Sequence, residues 1–111
     1  MSTRANIVIK SGREKLIFYR HSDGYPEGTL PLLEKFLAEI KAGNIRDNVG
    51  QSAGWLIEYG RREMMECFDG KTPEYYQWKV GFIEPTTCIH GDIEFLYTID
   101  LNKKKITVRK K

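Results

Sequence analysis

The sequence predicts an α+β fold in the order ββααβββ: an antiparallel or mixed sheet of about five strands, with two helices packed on one face, in a single domain spanning residues 1–111. Three observations carry this. Two short β-branched runs face each other across a glycine-containing turn before residue 22. Two stretches with apolar residues at helical spacing fill residues 29–68. Three runs that alternate between apolar and polar follow from residue 77. Helices lying between a hairpin and a meander, rather than alternating with single strands, indicate the segregated α+β class.

The elements are justified in chain order. Residues 5–10 are short and β-branched, and residues 15–21 follow across Ser11-Gly12-Arg13-Glu14, so the pair reads as a hairpin. In its second strand Leu16 and Phe18 alternate with Ile17 and Tyr19, which makes both faces apolar and suits an interior strand or one whose second face is covered. Thr29 is the expected N-cap of a helix running to Ala42. Leu30, Leu33, Phe36, Leu37 and Ile40 share one side of it, and Gly43 ends it. Asn48 with Gln51 reads as a capping box opening a second helix, whose buried stripe is Ala53, Leu56, Ile57, Gly60, Met64, Cys67 and Phe68. Gly60 costs about 1 kcal/mol against alanine in a helix, so its presence indicates close approach to a neighbouring element. The run at residues 69–73 breaks that helix. Residues 77–84, with Trp78, Val80 and Phe82 in alternation, form the third strand. A loop at 85–92 leads to strands at 93–101 and 105–109, with Ile93, Phe95, Tyr97 and Ile99 on one face of the fourth. The sheet face away from the helices is expected to carry Ile17, Tyr19, Ile83 and Leu96; exposed, such a patch implies a partner or a homodimer.

A net charge of +3 in 111 residues, with positive charges gathered at Lys103-Lys104-Lys105 and Arg109-Lys110-Lys111, is too weak and too terminal for a nucleic-acid footprint, so nucleic acid is not an expected direct partner. No apolar run approaches the length of a membrane span, and no basic start precedes an apolar segment as in a secretory leader. Cys67 and Cys88 fall in different elements; one disulfide is open to them, and free thiols in a reducing, cytoplasmic compartment are the default.

Candidate chemistry gathers in residues 19–28, Tyr-Arg-His-Ser-Asp-Gly-Tyr-Pro-Glu-Gly, at a strand-to-helix junction. As a connector, it would use Ser22 and Asp23 on backbone amides and Arg20 on a carboxylate. As a recognition loop, it offers Tyr19, Arg20 and Tyr25, residue types that anchor binding hot spots. As an anion site, it would use the amides of Gly28 and Thr29 with Arg20 as a clamp, although no phosphate-binding fingerprint is present. A second turn, Cys88-Ile89-His90-Gly91-Asp92, repeats the His/Asp/Gly chemistry. If the turns met, His21, Asp23, His90 and Asp92 would form a pocket able to share a proton or bind a divalent metal; apart, they are two ordinary turns.

The segment Phe18-Tyr19-Arg20-His21-Ser22-Asp23-Gly24-Tyr25-Pro26-Glu27-Gly28 resembles a motif of small bacteriophage and prophage proteins, in which a strand ending in Tyr-Arg-His leads through Asp-Gly-Tyr-Pro into a helix. His90-Gly91-Asp92-Ile93-Glu94-Phe95-Leu96-Tyr97 is similar to a late strand of the same proteins. The resemblance implies a small accessory protein acting inside a bacterial host, where such proteins often bind host machinery, including defence systems. The expected function is therefore binding and inhibition or modulation of a host bacterial protein, through Tyr19, Arg20, His21, Asp23, Tyr25 and Glu27, with His90 and Asp92 as secondary candidates and no cofactor. The alternatives are an oligomer that captures a nucleotide or other anion and, third, a metal-dependent enzyme.

Overall fold

In the computed structural model the chain is described at residues 3–67 and 82–111, the side chain of Cys67 excepted. The expectations that fall on Phe68, on the turn at 69–73 and on Trp78 and Val80 as strand residues lie outside the described residues.

Strand β1 (Ala5–Ser11) and strand β2 (Glu14–Arg20) form the expected hairpin. Its two-residue loop places Gly12 at φ +62°, where a side chain would be strained. Helices α1 (Pro26–Lys41) and α2 (Val49–Cys67) follow, then strands β3 (Ile83–Thr86), β4 (Phe95–Asp100) and β5 (Lys105–Lys110). The five strands make one mixed sheet in the order β3-β2-β1-β4-β5. All neighbours are antiparallel except β1 and β4, which run parallel. Among the described residues no helix is long and apolar enough to cross a membrane.

The register sorts the side chains into two faces. Ile7 lies beside Phe18 on one flank and Tyr97 on the other, and Ile9 lies beside Ile99. All five are essentially inaccessible, packed in one cluster with Leu33, Phe36 and Ile40 of α1 and Leu56 of α2. Both helices therefore cover the same face, as expected. Burying each such aliphatic or aromatic side chain stabilises the fold by roughly 1.5–3 kcal/mol.

Several local expectations resolve differently. Thr29 does not cap α1. The helix starts at Pro26, whose fixed φ suits a first helical position, and the carbonyl of Tyr25 accepts the amides of Gly28 and Thr29 at 3.1 and 3.0 Å. The end of α1 is as expected, with Gly43 at φ +82° beyond Ala42. Asn48 Oδ1 accepts the Gln51 amide at 3.0 Å, half of the expected capping box. Ile83 belongs to the helix-covered face, not the outer one: it pairs with Arg20 and packs on Gly60, where an added Cβ would stand 3.0 Å from Ile83 Cβ. The close approach inferred from Gly60 is thus to β3. Thr86 and Pro85, read as loop, belong to that strand.

The path from β3 to β4 positions the candidate site. Among the described residues β3 lies at one edge beside β2, while β4 lies beyond β1. Residues 87–94 must therefore pass over β2 and β1. The helices occupy one face, and the chain crosses on the other, where the His90 amide donates to Asn6 Oδ1 at 2.8 Å. The second apolar face of β2 is covered there by this loop.

Candidate functional site

The two His/Asp turns, separated by some 70 positions, meet on Tyr19. Tyr19 sits at the end of β2 on the face away from the helices and is 6% exposed. The His90 ring stacks on it, with centroids 4.0 Å apart and planes 21° from parallel. His21 meets it edge-on at 4.7 Å. The Tyr19 hydroxyl donates to Asp92 Oδ2 at 2.7 Å, and Arg4 Nε stands 3.6 Å from the same oxygen. His21 in turn pairs with Glu84 of β3, and His90 Nε2 shares a hydrogen bond with Thr86 Oγ1 at 2.8 Å. Three of the four groups in the sequence-derived constellation, His21, His90 and Asp92, converge.

The fourth does not. Asp23 has no bond to Tyr19, His90 or Asp92 among the described residues; its backbone carbonyl oxygen accepts from Thr29 Oγ1 at 2.8 Å and from Arg20 Nε at 3.2 Å. Its φ of +56° is uncommon for a residue with a side chain and is held by those two bonds. Gly24 follows as a structural necessity: a Cβ there would lie 2.9 Å from the Thr3 carbonyl oxygen, and its own carbonyl accepts from the Tyr97 hydroxyl at 2.6 Å.

Arg20 finds a carboxylate, as the connector reading expects, but on a helix partner the sequence does not disclose. Its side chain is fully buried and forms a two-pronged pair with Glu63 of α2, at 2.7 and 2.9 Å. Guanidinium and carboxylate match in this planar geometry, which ties the end of β2 to the helix layer. Arg20 thus braces the junction from behind and does not reach solvent. Tyr25 and Glu27 are exposed, and His21 has two-fifths of its side chain accessible. The polar side chains grouped around Tyr19 are His21, Glu84 and Asp92; Tyr25 and Glu27 are exposed at the start of α1, and Ile89 is exposed in the crossing loop.

Electrostatics follow the contacts. Burial, then the Asp92 carboxylate, raises the Tyr19 phenol above its ordinary 10.0. The hydrogen bond from Tyr19, then Arg4, lowers Asp92 below its ordinary 3.8. Burial likewise raises Tyr97. The pair therefore holds one shape, neutral phenol on ionised carboxylate, across the neutral range. Among the described residues no group of three or more His, Cys, Asp or Glu side chains is placed to hold a metal ion. Cys88 is an exposed free thiol and lies next to the site without joining it.

Five participants are not singled out by the sequence: Arg4, Asn6, Glu63, Glu84 and Thr86. Glu63 carried a readable signal, since it falls three residues after Gly60 at the margin of the α2 stripe. Asn6 carried another, a lone amide inside an apolar strand; it is fully buried and bonds the Phe18 carbonyl at 2.8 Å as well as His90. No protein-family model, curated protein sequence or solved structure matches the chain.

Proposed function

We propose that this chain is a phage-type accessory protein that acts by binding a host bacterial protein, with a component of a defence system as the class of target its setting points to. The observation that carries the binding role is the stack of His90 on Tyr19, which makes one preformed surface of a strand end and a crossing loop. A surface fixed in advance loses little entropy on docking, and loops held by a rigid sheet are a common place for recognition. Tyr25 and Glu27 are exposed at the start of α1, and His21, Glu84 and Asp92 supply polar groups around Tyr19. The motif resemblance of residues 18–28 supplies the bacterial setting. Capture of a nucleotide or other anion would want a free guanidinium, and Arg20 is committed to Glu63.

The test is capture of partners from bacterial lysate on the immobilised chain, compared with His21→Ala/Tyr25→Ala/Glu27→Ala. All three side chains lie outside the core, so the variant is expected to melt with the wild type. The expected result is a retained protein whose recovery falls at least about tenfold in the variant, as losing a hot-spot residue would cause. An identical set of proteins on both columns refutes the surface. Stabilisation of the chain by a nucleotide, with no protein retained, refutes the binding role in favour of anion capture.

A further inference from the structure

The opposite edge of the sheet is a second surface, independent of the Tyr19 site. Among the described residues no strand pairs with the outer side of β5. The Lys111 amide bonds the Glu94 carbonyl at 2.8 Å, which sets the phase of the β4–β5 ladder. Alternation by two then directs the backbone groups of Lys105, Thr107 and Arg109 toward β4, and those of Ile106, Val108 and Lys110 outward. The strand offers its outward N–H and C=O groups along six exposed or half-exposed residues.

Its side chains divide the same way. Lys105, Thr107 and Arg109 lie on the face away from the helices; inward of Lys105, Asp100 of β4 separates it from Lys10 and pairs with Lys10 at 3.9 Å, which leaves Lys105 and Arg109 as the cations of the edge itself. Ile106 and Val108 lie on the helix side, and Val108 is 41% exposed. Directly beside Ile106, between β5 and α1, runs a groove of about 500 Å³ whose apolar lining is Leu30, Leu37, Ala38 and Ile106, with Glu34, Lys41 and Lys104 as its charged side chains. Lysines on an edge commonly serve only to block pairing. An apolar groove alongside the open backbone is what a purely protective edge lacks.

We propose that the outer edge of β5 takes up an extended segment of a partner protein, carrying carboxylates on one face and apolar side chains on the other. The added strand bonds the backbone of Ile106 and Val108, sets its carboxylates beside Lys105 and Arg109, and lays its apolar side chains in the groove under α1. A second copy of this chain is a poor occupant. Antiparallel pairing centred on Thr107 sets Lys105 opposite Arg109 at both ends, and pairing centred on Val108 sets Lys105 opposite Lys111. Single-stranded nucleic acid finds no aromatic ring on β5 for its bases to stack on.

The test measures fluorescence anisotropy of a labelled, blocked peptide of alternating glutamate and valine on the full chain. The comparison probes are an alternating lysine–valine peptide and a single-stranded oligonucleotide. Binding of the glutamate peptide, weakened by salt, is the expected result. Val108→Pro removes an outward amide and leaves the β4 ladder intact, so binding falls about tenfold with an unchanged melting temperature. Arg109→Glu keeps the backbone and is expected to exchange the preference toward the lysine peptide. Equal affinity of wild type and both variants for the glutamate peptide overturns the proposal, as does preference for the oligonucleotide. Neither result bears on capture through the Tyr19 surface.

Discussion

Replacing Glu63 with alanine isolates the contact that locks the candidate site to the helix layer. In the native protein the Arg20 guanidinium is inaccessible and has three hydrogen bonds: two to Glu63, at 2.7 and 2.9 Å, and one to the Asp23 carbonyl at 3.2 Å. Glu63→Ala leaves a buried cation with a single neutral acceptor. Breaking a buried pair from one side costs about 3–5 kcal/mol. The Glu63 side chain is 23% exposed, so water reaches the vacated site and the lower figure, about 3 kcal/mol, applies. A domain of this size has a total stability of about 5–15 kcal/mol, so this is a large fraction of the whole. At roughly 4 °C per kcal/mol the melting temperature falls by about 12 °C. Urea unfolding followed by circular dichroism reads the free energy, and thermal unfolding followed the same way reads the melting temperature. The double replacement Arg20→Met/Glu63→Leu, which removes both charges and keeps the volume, is expected to sit near the wild type or above it. A Glu63→Ala midpoint within about 2 °C of the wild type would refute burial of an uncompensated charge and with it the brace.

Two further outcomes follow from contacts elsewhere. Gly60→Ala gains about 1 kcal/mol of helix propensity but drives a Cβ to 3.0 Å from Ile83 Cβ and Cγ1; overpacking of about 1–3 kcal/mol wins, and a urea midpoint above the wild type would show β3 to be placed wrongly. Stability should fall at both ends of the pH range. Asp92 is lowered from 3.8 by its Tyr19 bond, so its contribution is full above that value and is lost as pH falls through the folded value. Tyr19 is raised from 10.0, chiefly by burial, so its contribution is full below that value and is lost as pH rises through the folded value. Urea midpoints against pH check this, with a smaller alkaline loss expected in Tyr19→Phe.

What the sequence discloses here is what short-range periodicity carries. The hairpin is legible because Gly12 stands between two β-branched runs, and α1 because Leu33, Phe36, Leu37 and Ile40 repeat at helical spacing before a glycine. The strand order, with β3 at an edge and β4 parallel to β1, depends on where residues 87–94 cross, and no local pattern encodes a crossing. The phase of the third strand fails for a related reason. Alternation through Trp78, Val80 and Phe82 puts Ile83 outside, whereas pairing with Arg20 and contact with Gly60 put it inside. Cap choice was a contest between a good capping side chain, Thr29, and a proline fitted to a first helical position, Pro26, and the proline prevailed.

The site was half legible. Composition marks residues 19–28 and 88–92, and their shared His/Asp chemistry makes their meeting the point on which the site depends. That meeting rests on Tyr19, whose ring joins them, and on Asn6, which receives the crossing loop. Both are non-local contacts between residues that look ordinary in their own strands. Arg20 was marked for its charge, and its burial depends on Glu63, 43 residues away on another element.

That the two turns form one surface around Tyr19 is tested most directly by NMR titration of the Asp92 carboxyl in the wild type and in Tyr19→Phe. In the wild type Asp92 titrates below 3.8, because the Tyr19 hydroxyl donates to its charged form. Removing only that hydroxyl moves the Asp92 midpoint upward, while the ring and its stacking on His90 remain. Identical Asp92 titrations in the two proteins would contradict the junction, and with it the surface on which the proposed binding rests.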